Sequence, residues 1–373
     1  IQKIEVARGP FSSLYGGNAM GGVINMTSRI PAKQSLRFRG GFNLGKDINP
    51  NHNLYMGYDD VFADGKIGVA LSYSDKQDEG YVTNEIQKTA SKGNRGPVIS
   101  GIIPQKDRYG KETFLIGENG INSAKNRSVS GRLWLNLNEQ HSIRSSLTAS
   151  WYNYYNDHGK SFLHDSLGRI IDTGYVSFFY NDTTYSLRMT PNNFIDGQGG
   201  QASLVYTLSY QGKLSDCLTI NAGAGINNNY ENWYTSVVSS SSRNGGPGKI
   251  SSTPNVKGNF GFQAEINNLI PKNTLLTGIS FEGTTSETKE HNLRDWENPD
   301  DLDAIVYKSA GQSANGGIFI NDEFTIIEDA GILKNLILNA GIRFDYWRTM
   351  NGMNRDYTST KVNNHYADHS KSS

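Results

Sequence analysis

Two pairs of glycines lie within residues 16–22, in the segment FSSLYGGNAMGGVIN near the start of the chain. Glycine-rich loops can hold a phosphate, but a phosphate-binding P-loop requires a lysine and then a serine or threonine after its last glycine. Val23 and Ile24 stand at those positions. The glycines therefore predict tight turns at a backbone apex and do not predict a nucleotide site.

Patterns that bind metals or perform catalysis are weak in this sequence. His365 and His369 are four residues apart with Asp368 between them, a spacing that holds a metal on a helix, but this segment is typical of a loop. A single cysteine, Cys217, excludes an internal disulfide bond and a cysteine-based zinc site. The sequence predicts no catalytic residues, no metal site and no cofactor, and hence a protein that is not an enzyme.

Aromatic side chains with a polar edge are the candidates for ligand binding. Tyr152, Tyr154 and Trp233 lie near the ends of predicted strands, at positions that the alternation assigns to the polar face. Rigid rings of this kind suit a metal chelate or a corrinoid. The alternative is that they belong to the aromatic girdles of a membrane barrel, and a single bulge would move a residue to the other face.

The composition limits the class of protein. The 373 residues include 36 basic and 36 acidic ones, so the formal net charge is zero and nothing predicts binding to nucleic acid. Only 36% of the residues are hydrophobic, whereas glycine and tyrosine are abundant, with 41 and 20 residues. No run of about 18 apolar residues predicts a membrane helix. This composition favours short alternating strands joined by polar loops.

Alternating apolar and polar residues define the elements that would position these side chains. From Leu36 onward the alternation recurs in runs of about 10 to 14 residues, the period-2 pattern of a β-strand. Eleven strands are predicted in this way. They cover residues 36–44, 52–61, 66–74, 127–137, 141–154, 201–211, 217–231, 258–268, 273–286, 315–327 and 335–348.

The predicted connections alternate between short polar turns and long loops. The long loops cover residues 75–126, 155–200, 233–257 and 288–313. Long loops at one end and short turns at the other are typical of outer-membrane barrels. The predicted fold class is therefore all-β, a transmembrane antiparallel β-barrel. A soluble multi-strand β protein is the alternative, but it would not explain an apolar face on nearly every strand.

The opening segment IEVARGPFSSLYGGNAMGGVINMTSR resembles the end of the plug domain of TonB-dependent outer-membrane receptors. Sixteen residues match, in order, a family pattern close to I-E-V-x-R-G-P-x-S-x-L-Y-G-x-x-A-x-G-G-V-I-N, which makes the resemblance highly specific. A weaker resemblance lies at GGIFINDEFTI, residues 316–326, and LNAGIRFDYW, residues 338–347. These two segments are similar to a pair of strands near the middle of the family's barrel.

The resemblance implies a barrel of about 22 strands whose lumen is occluded by an N-terminal plug. Residues 1–30 would then be the C-terminal part of the plug domain, and residues 31–373 the N-terminal half of the barrel, with about 11 strands. Bacterial barrels have an even number of strands. We therefore expect the rest of the plug, including the TonB box, to precede residue 1, and the remaining strands to follow residue 373.

The resemblance also implies TonB-dependent active import of a scarce ligand, foremost a ferric siderophore, across the outer membrane of a Gram-negative bacterium. The implied partners are the TonB, ExbB and ExbD energy-coupling complex, the metal-chelate ligand and outer-membrane lipid. Cobalamin, haem or an oligosaccharide is the alternative cargo. A passive porin or an adhesin barrel is the alternative class, although neither would need the opening motif.

Several residues acquire a role through the resemblance. Tyr15 would face the ligand from the apex of the plug, or alternatively pack against the barrel wall. Charge pairs would seat the plug in the barrel, because a buried charge requires a partner. The residues expected to form these pairs are Glu5 and Arg8 in the plug and Arg144, Glu323, Arg343 and Asp345 in the barrel. The alternative is that they are solvated lumen charges without a specific role.

Overall fold

The computed structural model describes residues 2–8, 22–45, 48–82, 84–157, 159–330, 333–358, 364–366 and 369–372. These residues are mostly β-strand, with one short 3₁₀ helix at Pro191–Phe194. Among the helical segments in these ranges, none is long and apolar enough to cross a membrane.

The strands are numbered along the chain. The first twelve are β1 (Lys3–Arg8), β2 (Gly22–Thr27), β3 (Ser35–Gly45), β4 (Ile48–Phe62), β5 (Ile67–Val82), β6 (Glu85–Lys88), β7 (Ser91–Lys92), β8 (Ile103–Lys106), β9 (Glu112–Glu118), β10 (Ile121–Asn136), β11 (His141–Asn156) and β12 (Lys160–Ser161). The others are β13 (Gly174–Tyr180), β14 (Thr183–Met189), β15 (Gly199–Ser215), β16 (Leu218–Val237), β17 (Gly248–Ser252), β18 (Asn255–Asn267), β19 (Asn273–Leu293), β20 (Leu302–Ala330), β21 (Leu333–Asp356), β22 (Asn364–His365) and β23 (His369–Ser372).

A separate two-stranded sheet opens the chain. β1 and β2 pair antiparallel, with Val6 opposite Ile24. These two strands flank the glycine-rich segment. Residues 9–21, which include Tyr15, lie outside the described residues.

Eleven long strands form the main sheet, and each is antiparallel to its neighbours in chain order: β3, β4, β5, β10, β11, β15, β16, β18, β19, β20 and β21. Three short strands also pair with this sheet. β17 pairs with β16 and β19, and β22 and β23 pair with β21. All eleven predicted strands are confirmed, and several continue into segments predicted as loops. β20, for example, runs over 29 residues, from Leu302 to Ala330.

One face of the main sheet is apolar and exposed. Residues directly opposite each other in antiparallel strands share a face, and Leu71, Gly131, Leu147 and Tyr206 form one such row. Leu147 is 47% exposed, and Ile342, on the same face of β21, is 70% exposed. An apolar face without a covering layer is what a barrel wall presents to lipid.

The opposite face is polar and carries pairs of hydroxyl groups between strands. Ser72 and Ser130 lie with their Oγ atoms 2.7 Å apart, and Ser150 and Ser203 with theirs 2.8 Å apart. These cross-strand bonds satisfy hydroxyl groups that would otherwise require water. The two faces together confirm the predicted transmembrane architecture, with a polar lumen side and an apolar lipid side.

A buried hydrophobic core lies in the long loops. Two small sheets, one of β6, β8, β9 and β12 and one of β7, β13 and β14, enclose it. Its members, which we call the loop core, are Ile99, Phe114, Ile116, Leu163, Val176, Phe178, Leu187, Met189 and Phe194. Phe114 packs edge-on against Phe178, with ring centroids 4.7 Å apart. Segments predicted as irregular loops therefore pack as a water-soluble domain does.

The other long loops join the two that contain the loop core. Gln198 donates from Nε2 to the carbonyl oxygen of Glu297 at 2.7 Å. Trp296, which is 3% exposed, donates from Nε1 to the carbonyl oxygen of Ser242 at 2.9 Å. Through such bonds the four long loops form one packed layer at the loop end of the sheet.

Candidate functional site on the polar face

A cavity of about 470 Å³ lies on the polar face of the main sheet. A single row of paired residues runs along this face from β11 to β21, and its first five members line the cavity: Arg144, Ser209, Gly223, Gly261, Ser280, Gly317 and Asp345. Five consecutive strands thus present only a hydrogen atom or a hydroxymethyl group in this row. With strands about 4.8 Å apart, the low floor spans about 20 Å. It is a trough in the wall with a charged residue at either end.

An ion pair closes one end of the trough. Arg343 donates from Nε to both carboxylate oxygens of Asp345, at 2.8 and 2.9 Å, and from Nη2 to the hydroxyl of Ser280 at 2.7 Å. The Arg343 side chain is only 8% exposed. A Cβ atom on Gly317 would collide with both the guanidinium and the carboxylate. Glycine at this position therefore allows the pair to lie flat against the wall.

Arg144 lies at the other end of the trough and lines the same cavity as Arg343. It is exposed, and none of the described residues forms an ion pair with it. Glu323 is also exposed on the polar face, between Thr274 and Asn339. The structure thus places Arg144 and Arg343 on one cavity, with Asp345 bound to Arg343, and places Glu323 outside its lining.

The two charges that were predicted to lie in a plug are on the short β1–β2 sheet. Glu5 forms an ion pair with Lys3, with Nζ and Oε1 2.5 Å apart, and accepts a hydrogen bond from Asn25 at 3.1 Å. Arg8 pairs through its backbone with Gly22, and its side chain lies outside the described part of the structure. The predicted contacts of Glu5 and Arg8 with the barrel therefore stay predictions.

Tyr152 and Tyr154 lie where the polar face meets the loop layer. Their ring centroids are 6.3 Å apart. Tyr152 is 38% exposed, and Tyr154 is half-buried beside Gly199, whose missing side chain leaves room for the ring. Both follow Ser150 on the same face of β11, as the alternation predicts. Their role as ligand contacts stays a prediction.

The prediction that Trp233 shares this face is wrong. A bulge at Tyr230 interrupts β16, so that Ser203 pairs with Asn229 whereas Ala202 pairs with Glu231. The extra residue reverses the alternation beyond it. Trp233 therefore lies opposite Gly200, on the lipid side of the sheet.

Asp165 and Arg169 form an ion pair within the loop layer. The Asp165 carboxylate accepts the backbone N–H of Arg169 and its guanidinium, the latter with Nη2 2.8 Å from Oδ2. The backbone N–H of Arg169 contributes most, followed by its side chain and the N–H of Leu167, and together they lower the pKa of Asp165. This turn of the loop therefore keeps its ion pair at neutral pH.

Within the described residues, no group of three or more histidine, cysteine, aspartate or glutamate side chains could hold a metal ion. His365 and His369 lie on different short strands, where they pair with Met353 and Thr349 of β21. The cavity on the polar face is lined by two arginines, by serine hydroxyl groups and by Phe319. Such a set can bind an anionic or hydroxyl-rich group without a resident metal.

Two aspects of the site were not predicted from the sequence. The row of small residues falls on separate strands, so only the pairing register brings it together. One hairpin of the loop core could have been predicted. Residues 174–180 and 183–189 alternate on either side of Asn181 and Asp182, and these two residues have the positive φ angles of a hairpin turn.

Comparison with known proteins gives one fold. No family model matches the chain. The structure of the ferripyoverdine receptor of the Pseudomonas aeruginosa outer membrane matches 98% of this chain and 43% of its own, with a TM-score of 0.58 and 11% identity. The ferric citrate transporter FecA matches with a TM-score of 0.60, and the ferric yersiniabactin uptake receptor FyuA of Yersinia pestis with 0.59. Both are 12% identical, with 99% of this chain covered and 45% and 48% of theirs.

A sequence relative is the vitamin B12 transporter BtuB of Vibrio vulnificus. It is 30% identical over 104 residues, which are 28% of this chain and 16% of that protein. The chain thus spans less than half of the length of these three solved receptors. The matched proteins are receptors and transporters, not enzymes, and the shared feature is the antiparallel wall of an outer-membrane barrel.

Proposed function

Because the chain has the fold of the TonB-dependent outer-membrane receptors, we infer that it is part of such a receptor in a Gram-negative bacterium. The receptor imports a scarce ligand by using energy from the TonB, ExbB and ExbD complex. The two-faced wall carries this proposal: its exposed apolar side suits lipid, and its polar side suits an aqueous lumen. The opening motif favours a receptor over a porin or an adhesin, because neither of these would need that motif.

The proposed cargo is a ferric siderophore. The titles of three matched structures name ferripyoverdine, ferric citrate and ferric yersiniabactin. The BtuB relative supports a corrinoid as the second candidate. Tyr152 and Tyr154, and Tyr15 from the plug, are proposed ligand contacts, because rigid rings with a polar edge suit a large chelate.

Uptake of radiolabelled ferric siderophore tests the proposal. Cells that express the full-length receptor are expected to bind and accumulate the label, whereas cells that lack TonB bind it and accumulate none. Cells without the receptor provide the background. Uptake that is equal with and without TonB would contradict active import. Binding of cobalamin, but of no siderophore in a panel, would overturn the choice of cargo and leave the mechanism in place.

We further propose that the trough on the polar face seats the plug, with residues 1–30 as the end of the plug domain and residues 31–373 as barrel. The guanidinium of Arg144, which forms no ion pair with any residue that the structure describes, supports this, because a charge covered by the plug requires a counter-charge. Glu5, Arg8 and Glu323 are the other proposed members of the contact, beside the Arg343–Asp345 pair.

Reversal of the charge at Arg144 tests this seat. Arg144→Glu is expected to loosen the plug and to sensitise cells to large antibiotics, such as vancomycin, that do not cross an occluded barrel. Lys111→Glu is the matched control, since Lys111 is exposed in the turn between β8 and β9 and does not line the trough cavity. If both variants change sensitivity equally, or if neither does, the proposed seat is wrong.

A further inference from the structure

A second cavity, of about 480 Å³, lies on the lipid side of the sheet near its loop end. It is lined by Tyr73, Lys125, Arg127, Trp151 and Asn153. The register places all five on one face, because Arg127 pairs with Trp151 and with Asp75, and Lys125 pairs with Asn153. The cavity thus combines two cations, an aromatic ring and an amide on the apolar face of the wall.

An apolar groove of about 340 Å³ continues from this cavity toward the middle of the wall. It is lined mainly by Leu36, Met56, Leu71 and Val129, and Tyr73 lines both the groove and the cavity. Gly131 keeps the groove open, because a side chain there would extend over the face beside Leu71. A basic cavity and an apolar groove are therefore contiguous along one lipid-facing surface.

The charges of the cavity are arranged for an anion. Arg127 is held by its Nε, 3.1 Å from Oδ2 of Asp75. Asp75 also faces His52 at 3.4 Å and the hydroxyl of Tyr73 at 3.1 Å. Lys125 forms no ion pair with any residue in the described ranges. The Asp75 carboxylate thus orients Arg127, and Lys125 is left for a ligand. Two cations against one carboxylate give the cavity a net positive charge.

We propose that this surface binds one phosphorylated glycolipid of the outer leaflet. Its phosphate lies between Lys125 and Arg127, where charge-assisted hydrogen bonds are strong. A sugar ring stacks on Trp151 with Asn153 beside its hydroxyl groups, and an acyl chain occupies the groove along Leu71 and Val129. A phospholipid would use the cations and the groove but not the ring and the amide. The site is separate from the lumen and from cargo transport.

Native mass spectrometry of the full-length receptor in a non-ionic detergent tests this site. After delipidation the protein is titrated with diphosphorylated diglucosamine lipid, with its dephosphorylated form and with phosphatidylglycerol. One diphosphorylated lipid is expected to bind, and the Lys125→Gln/Arg127→Gln double variant is expected to bind about 30-fold more weakly. Gly131→Leu, which fills the groove and retains both cations, is expected to weaken binding as well.

Lys76→Gln is the matched control. Lys76 pairs with Asn126, which lies between Lys125 and Arg127, so it is at the same height but on the opposite face. This variant is expected to bind the lipid like the unaltered protein. Equal losses in Lys76→Gln and the double variant, equal binding of phosphatidylglycerol, or undiminished binding of the dephosphorylated form would each overturn the proposal. Siderophore uptake by the double variant is expected to be unchanged, so failure here is distinct from failure of the import proposal.

Discussion

The replacement of Leu147 by arginine is expected to destabilise the folded barrel in a bilayer by about 2–4 kcal/mol. Leu147 lies in the middle of β11, on the apolar face, and is 47% exposed. In a membrane that exposed surface contacts hydrocarbon, where a guanidinium loses its hydration without gaining a partner. Urea unfolding in phospholipid vesicles, followed by tryptophan fluorescence, measures the free energy of unfolding.

Thr148→Arg is the matched variant, because Thr148 is the next residue and lies on the polar face. It pairs with Ser130 on one side and with Val205 on the other. An arginine there points into the aqueous lumen and is expected to cost under about 1 kcal/mol. Equal costs for the two variants, or a larger cost for Thr148→Arg, would show that the faces are assigned the wrong way round.

Phe194→Ala is expected to open the loop layer and to leave the barrel wall folded. Phe194 is fully buried in the loop core, and its truncation is expected to cost about 3–5 kcal/mol of local stability. The strands of the wall hold each other by backbone hydrogen bonds and do not depend on this core. Hydrogen exchange is expected to rise in residues 84–119 and 159–198 while the long strands stay protected, and ligand binding is expected to fall.

Phe179→Ala provides the control for this experiment. Phe179 belongs to the same layer but is 69% exposed, so its loss is expected to change stability by less than about 0.5 kcal/mol. If Phe194→Ala leaves exchange in the loops unchanged, the layer is not held together by the loop core. If it also unfolds the wall, the two parts are not independent.

The eleven strands could be predicted because each carries its own alternation, and residues two apart share a face whatever the partner strand. The same rule placed Tyr152 and Tyr154 correctly. The rule failed for Trp233 because of the bulge at Tyr230. That bulge arises from the pairing of β16 with β15, and the sequence of β16 alone does not predict it. The position of Tyr15 lies outside the described residues, and its role stays a prediction.

The sequence by itself determined three features: the two-faced strands, the alternation of short turns and long loops, and the plug-like opening motif. Each depends only on the spacing of residues that are close together in the chain. The tertiary structure determined which residues lie side by side on neighbouring strands. Register aligned Arg144, three glycines and Asp345 into one trough, and it placed Lys125, Arg127 and Trp151 around one cavity on the lipid side. The loop core also required folding, because its nine buried residues come from segments far apart in the chain that meet only when the small sheets pack.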